Sequence, residues 1–163
     1  AALLEAHRGI VGKVAFTYAR SSHDRDDLTQ EIAAELWRSY ARYDQRRPFA
    51  TWAYRVALNV AITHLRRTAR RTTEPLAADL AAPEPRGPDD RVGALRAVME
   101  SLAPLDRALL ILYLDGRSYA EIADVLGISE TNVATKIGRL KQALRRDITA
   151  HEPSERSDRH GHR

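Results

Sequence analysis

Apolar residues recur along this chain at helical spacing and nowhere alternate as a strand would. Leu3, Leu4, Ile10 and Val14 predict one helix over 3–19, and a polar break follows at 21–27. Leu28, Ile32, Leu36 and Trp37 mark a second helix, with Trp37 at core spacing. Residues 43–48 read as a loop, dense in charge and closed by Pro48, a residue suited to a helix's first turn. A third helix carries Phe49, Trp52, Val56, Val60 and Leu65 on one stripe, with Phe49 and Trp52 expected to pack. It ends in Arg66, Arg67, Arg70 and Arg71, which suit the negative end of a helix dipole. Further on, 92–102 and 105–114 are each striped with apolar residues and separated by Pro104.

The last two helices are bounded by their caps. Ser118-Tyr119-Ala120-Glu121 has the form of a capping box, in which the serine hydroxyl and the glutamate each satisfy the other's amide. Ile122, Ala123 and Leu126 give a short apolar face, Gly127 turns the chain, and Ile128 packs beneath it. Ser129 suits the N-cap of a final helix striped by Val133, Ile137, Leu140 and Leu144. Helix, glycine turn and helix at this spacing is the form of a DNA-binding helix-turn-helix. Opposite the stripe lie Thr131, Thr135, Arg139 and Gln142, flanked by Asn132 and Lys136. Short hydrogen-bonding groups can meet base edges there while cations such as Lys136 and Lys141 hold phosphates.

Between the two sets, 72–90 holds Pro75, Pro83, Pro85 and Pro88 with Gly87, which precludes a stable helix. A flexible tether is the expected reading, against an ordered loop packed on one globule. The segment 151–163 is polar and unpatterned, the expected form of a disordered tail, although its histidines could bind metal adventitiously. The predicted fold is therefore all-α, with two small helical domains at 1–71 and 91–150 joined by a proline-rich flexible linker.

Composition narrows the function classes. The formal charge of +4 and pI near 9.7 admit a polyanionic partner, but arginine bias alone decides little. The absence of cysteine excludes disulfides and thiolate metal sites. No apolar run reaches membrane-spanning length, and the first residues lack a signal-peptide pattern. His23, Asp24, Asp26, Asp27 and Glu31 could suggest a metal-dependent nucleic-acid enzyme. Carboxylates at a helix start also serve the helix dipole, and no metal or other cofactor is expected. A regulator with a receiver half would need strands, which the first half lacks.

These residues carry a resemblance. Ser118-Tyr119-Ala120-Glu121-Ile122-Ala123, then Leu126-Gly127-Ile128-Ser129 and Val133, resembles the fourth conserved region of sigma-70 family factors. Asp27-Leu28-Thr29-Gln30-Glu31-Ile32 with Leu36-Trp37 resembles the region-two helix that docks on the polymerase clamp. Phe49-Ala50-Thr51-Trp52, Arg55 to Ile62 and His64-Leu65-Arg66-Arg67 resemble the promoter-melting helix that follows. Regions two and four joined directly, with no third region, are similar to the extracytoplasmic-function group.

The resemblance implies a cytoplasmic, non-enzymatic subunit that joins core RNA polymerase and directs it to particular promoters. Asp27, Gln30 and Glu31 would bind the clamp of the largest subunit, and the second half would meet the flap of the second largest. Tyr43, Asp44 and Phe49, in and beside the 43–49 loop, would grip the melted minus-ten strand with Arg55, Asn59, Arg66 and Arg67. Thr131, Asn132, Thr135, Lys136, Arg139 and Lys141 would read the minus-thirty-five duplex. An anti-sigma factor is a further partner the family admits. Ala134 and Gly138 depart from the larger side chains frequent in the family's reading helix, which shifts the expected contacts to Thr135 and Arg139. Thr63 and Ala50 depart where aspartate and arginine are frequent.

Overall fold

The computed structural model describes residues 2–73 and 90–151. The expected linker therefore lies outside the described residues over 74–89, and the expected tail does so over 152–163. Among the described residues every regular element is a helix. The chain runs α1 (Ala2–Ala6), α2 (Arg8–Tyr18), α3 (Ser22–Ser39), a 3-10 turn (Tyr40–Arg42) and α4 (Phe49–Thr73). The second half follows as α5 (Asp90–Ser101), α6 (Pro104–Leu114), α7 (Tyr119–Leu126) and α8 (Glu130–His151).

Helices α4, α5 and α8 run one or two residues into the expected linker and tail, and two boundaries differ by more. The single helix expected over 3–19 is broken at His7, whose ring leans on Phe49 at 4.9 Å between centroids. The polar break expected at 21–27 is instead the first turns of α3. Ser21 caps them, its hydroxyl accepting from the Asp24 amide at 3.1 Å. These turns carry no apolar side chain before Leu28, so they show no apolar stripe by which to be recognised.

Helices α2, α3 and α4 form the first core. Leu28, Ile32 and Leu36 of α3 and Val14 and Tyr18 of α2 are all but inaccessible. Ala53, Ala57 and Ala61 of α4 are equally buried, and their small side chains let neighbouring helices approach closely. In the second half α6, α7 and α8 bury Leu109, Leu112, Ile122, Val133 and Ile137. These residues join those of the first half in one continuous apolar cluster, with α2 packed on α5 and α6 and α4 packed on α7. A smaller cluster of Met99, Leu110 and Leu140 lies within the second half. The described halves thus dock on each other.

Polar groups stitch the same seam. The buried Tyr18 hydroxyl donates to the Pro104 carbonyl at 2.6 Å. Burial pushes that hydroxyl's pKa upward, opposed by the Arg107 charge. Arg96, Arg107 and Arg117 of the second half stand over the rings of Phe16, Tyr18 and Tyr54.

Candidate nucleic-acid interface

In the second half the caps set where α7 and α8 point. The Ser118 hydroxyl accepts from the Glu121 amide at 3.2 Å, and Glu121 accepts from the Ser118 amide at 2.8 Å. That backbone hydrogen bond holds the Glu121 carboxyl below its ordinary range, helped by Arg117. Gly127 stands at φ 69°, a left-handed conformation that a Cβ disfavours. The Ser129 hydroxyl then accepts from the Asn132 amide at 3.2 Å and starts α8.

Along α8, Val133, Ile137 and Leu140 turn inward, while Thr131, Asn132, Thr135 and Arg139 stand exposed in one row. Lys136 is half-buried beside it. The Thr135 hydroxyl donates to the Thr131 carbonyl at 2.9 Å, which leaves its lone pairs outward for a donor on a base. Lys141 departs from this row: its ammonium sits 4.4 Å from the centroid of the Tyr113 ring. The Tyr113 hydroxyl raises its pKa, so the charge persists at neutral pH.

In the first half the loop after the 3-10 turn is framed by rings. Tyr43 lies 5.4 Å from Phe49 and 5.0 Å from Trp52, and its hydroxyl donates to the Arg47 carbonyl at 2.6 Å. Phe49 is buried and Trp52 half-buried, as their spacing predicts, so they shape the loop from beneath. Asp44 accepts from the Arg46 amide at 3.0 Å and bends the chain. On α4, Arg55, Asn59, Thr63 and Arg66 recur at helical spacing and are all exposed, which makes a polar row leading away from the loop. Arg67 lies outside that row, donating to Glu31 at 2.6 Å.

On α3, Asp27 and Gln30 are exposed, and Glu31 is half-buried against Arg67 and His64. Two residues expected at different sites, Glu31 and Arg67, are therefore partners across the α3–α4 seam. Asp24 is also engaged, accepting from the Arg20 amide at 2.8 Å and meeting His64 at 2.7 Å. No group of His, Asp and Glu side chains fit to hold a metal ion occurs among the described residues.

Trp37 corrects the sequence reading. Expected in the core, it is 68% exposed. The buried stripe of α3 runs through Leu28, Ile32 and Leu36 and continues to Ser39, so Trp37 lies on the other side of it. There it shares a face with Gln30, two helical turns earlier.

Two of these exposed surfaces meet the other half. Arg47 donates to the Asp124 carboxylate at 3.1 Å, and Arg55 donates to the Asp124 backbone carbonyl at 2.8 Å.

Comparison with known proteins places this geometry. The family model of sigma-70 region 2 matches residues 3–71, and that of sigma-70 region 4 matches residues 93–144. The ECF RNA polymerase sigma factor SigE of Mycolicibacterium smegmatis is 34% identical over 91% of this chain. This chain spans only 61% of that relative's length. The ECF RNA polymerase sigma factor SigW of Bacillus subtilis is 25% identical, over 90% of this chain and 87% of its own. The fold is similar to that of the sigma factor RpoE from Bartonella quintana, solved with the anti-sigma factor NepR. The TM-score is 0.72 at 15% identity, over 91% of this chain and 96% of that one.

Proposed function

The chain belongs to the sigma-70 family, in its extracytoplasmic-function group, and from that premise we propose that it is a transcription initiation factor. It binds core RNA polymerase in the cytoplasm and directs it to specific promoters; its own role is binding, not catalysis. Residues 1–71 act as region 2 and residues 91–150 as region 4, connected through 72–90. Among the described residues no helix is long and apolar enough to cross a membrane.

The observation that supports this reading best is the pair of exposed polar rows, one in each half. The row of Thr131, Asn132, Thr135 and Arg139 is short and hydrogen-bonding at its start and cationic at its end, which suits duplex in the major groove. It reads the minus-thirty-five element, with Lys136 on phosphate. The row of Arg55, Asn59 and Arg66 follows from the ring-framed loop with Tyr43 and Asp44, which suits an unpaired strand whose stacking must be replaced. It captures the minus-ten element after melting. The α3 face of Asp27, Gln30 and Trp37 meets the clamp of the largest polymerase subunit. The second half meets the flap of the second largest. An anti-sigma factor is a further partner, as one is for the Bartonella relative.

Reconstituted holoenzyme tests the division of labour. Arg139→Ala should weaken binding to the preferred duplex by about 1–3 kcal/mol and relax preference at one position. Asn59→Ala should leave duplex recognition intact and lower permanganate reactivity of unpaired thymines near the start site. Normal melting by Asn59→Ala, with melting but not duplex binding lost in Arg139→Ala, would reverse the two roles.

A further inference from the structure

Glu31 of α3 and Arg67 of α4 meet beside a buried histidine that belongs to neither exposed row. The His64 ring faces the first turns of α3 and is 6% exposed. Its Nδ1 stands 3.2 Å from Arg67 Nη2, and its Nε2 stands 2.7 Å from Asp24 Oδ1. A guanidinium only donates, so Nδ1 carries the lone pair and Nε2 the proton, which it donates to Asp24. The ring in this arrangement is neutral. The same Nη2 also donates to Glu31 Oε1 at 2.6 Å, and the second oxygen of Glu31 stands 3.5 Å from Nδ1. The charged groups facing the ring are thus Asp24 and Glu31 from α3 and Arg67 from its own helix. From just past α2 the Arg20 amide donates to Asp24 at 2.8 Å and steadies that carboxylate.

We propose that His64 is the positioning residue for Arg67: its neutral ring holds the guanidinium on Glu31, and its protonated ring releases it to a melted strand. A second proton on the ring goes to Nδ1, the atom that accepts from Arg67. That hydrogen bond then becomes a contact between two cations. The new N–H turns to the second oxygen of Glu31, while Asp24 keeps the proton on Nε2. Arg67 loses one partner outright and shares the other. It is exposed and lies four residues past Thr63, so its long side chain reaches the end of the Arg55, Asn59 and Arg66 row by rotation alone. There it adds one phosphate contact to strand capture. Imidazole suits this role because both of its protonation states are accessible in water near neutrality.

This inference rests on strand capture by the first half, and the test tells the two apart. In the full chain the His64 ring is followed by its Cε1–H magnetic resonance signal, assigned by the loss of that signal in His64→Gln. Glutamine offers Asp24 an amide N–H and takes no proton. Strand binding is read by anisotropy on a short mixed-sequence single-stranded DNA, with reconstituted holoenzyme against core polymerase alone, over about pH 5.5 to 8. As the ring gains its proton, the parent's affinity should rise about threefold more than that of His64→Gln. Its log–log salt slope should steepen by about 0.7, the measure of one phosphate contact on a single strand. Arg67→Gln, at an exposed position, should abolish the extra gain while the His64 signal still shifts, and it decides the matter even where His64→Gln folds poorly. Whatever His7 and His23 contribute is common to all three chains. An acid gain in Arg67→Gln equal to the parent's, or a His64 signal that stays put across the range, overturns the positioning role. No strand binding above that of core alone, by any chain at any pH, overturns the reading of the first half itself, and the role of His64 with it.

Discussion

Ile32 and Trp37 share helix α3 and face opposite ways: one is fully buried and the other 68% exposed. Their apolarity alone does not tell them apart, because each falls within a helical step of Leu36. What separates them is which neighbours the stripe meets: Leu36 and Ser39 turn inward, and Trp37 is left outside. The consequence is a split between stability and binding. Ile32→Ala should cost about 2–5 kcal/mol on chemical denaturation, because it opens a cavity in a packed core. Trp37→Ala should change stability by no more than about 0.5 kcal/mol and yet lower retention of core polymerase in a pull-down. Retention equal to the parent chain would remove Trp37 from the clamp surface. Glu31 shows the same limit from the polar side. Its motif position is legible, but its engagement with Arg67 depends on α4 folding alongside, which no local pattern encodes.

Elements whose ends are set by local chemistry were the most readable. The capping box at Ser118 and Glu121, the turn at Gly127 and the cap at Ser129 each depend on residues within one turn, and each forms as their types imply. The start of α3 was not readable, since its first turns have nothing apolar to report. Ser118→Ala should destabilise the chain by about 1 kcal/mol. Gly127→Ala should cost about 1–2 kcal/mol through the left-handed backbone, although open space surrounds the position. Matched denaturation curves would show it, and a parent-like midpoint for Gly127→Ala would mean the turn relaxes to another conformation. The capping box also carries a pH signature. Glu121 is held below its ordinary value by the Ser118 amide, so its contribution is present above the unfolded value and is lost as pH falls through the folded one. Glu121→Gln should flatten that acid limb.

At the scale of the whole molecule, the docking of the halves had no local signature. Lys13 and Tyr54 are far in sequence from Asp115, as Arg47 is from Asp124, and only the tertiary fold brings each set together. The proline-rich linker points to two modules, and helices of both modules also contribute to one apolar cluster. Asp115 gives this seam a measurable handle. Burial pushes its carboxyl upward, but hydrogen bonds from Lys13, Tyr54 and Arg117, with the Lys13 charge, outweigh burial and leave its pKa below the ordinary value. A depressed carboxylate stabilises the state that depresses it above its unfolded pKa, and that stabilisation is lost as pH falls through the folded value. Tyr54 is pushed upward by burial and by Asp115 and stays neutral across that acid range, so Asp115 is the carboxyl in the cluster that acid discharges. Acid should therefore part the halves, seen as falling energy transfer between dyes on Arg20→Cys and Ser101→Cys, exposed positions one in each half of a chain without cysteine, while far-ultraviolet circular dichroism still reports helix. Asp115→Asn should begin with lower transfer at neutral pH and show a flatter acid limb. If parent and variant instead lose transfer along the same curve, Asp115 is not the group whose protonation parts the halves.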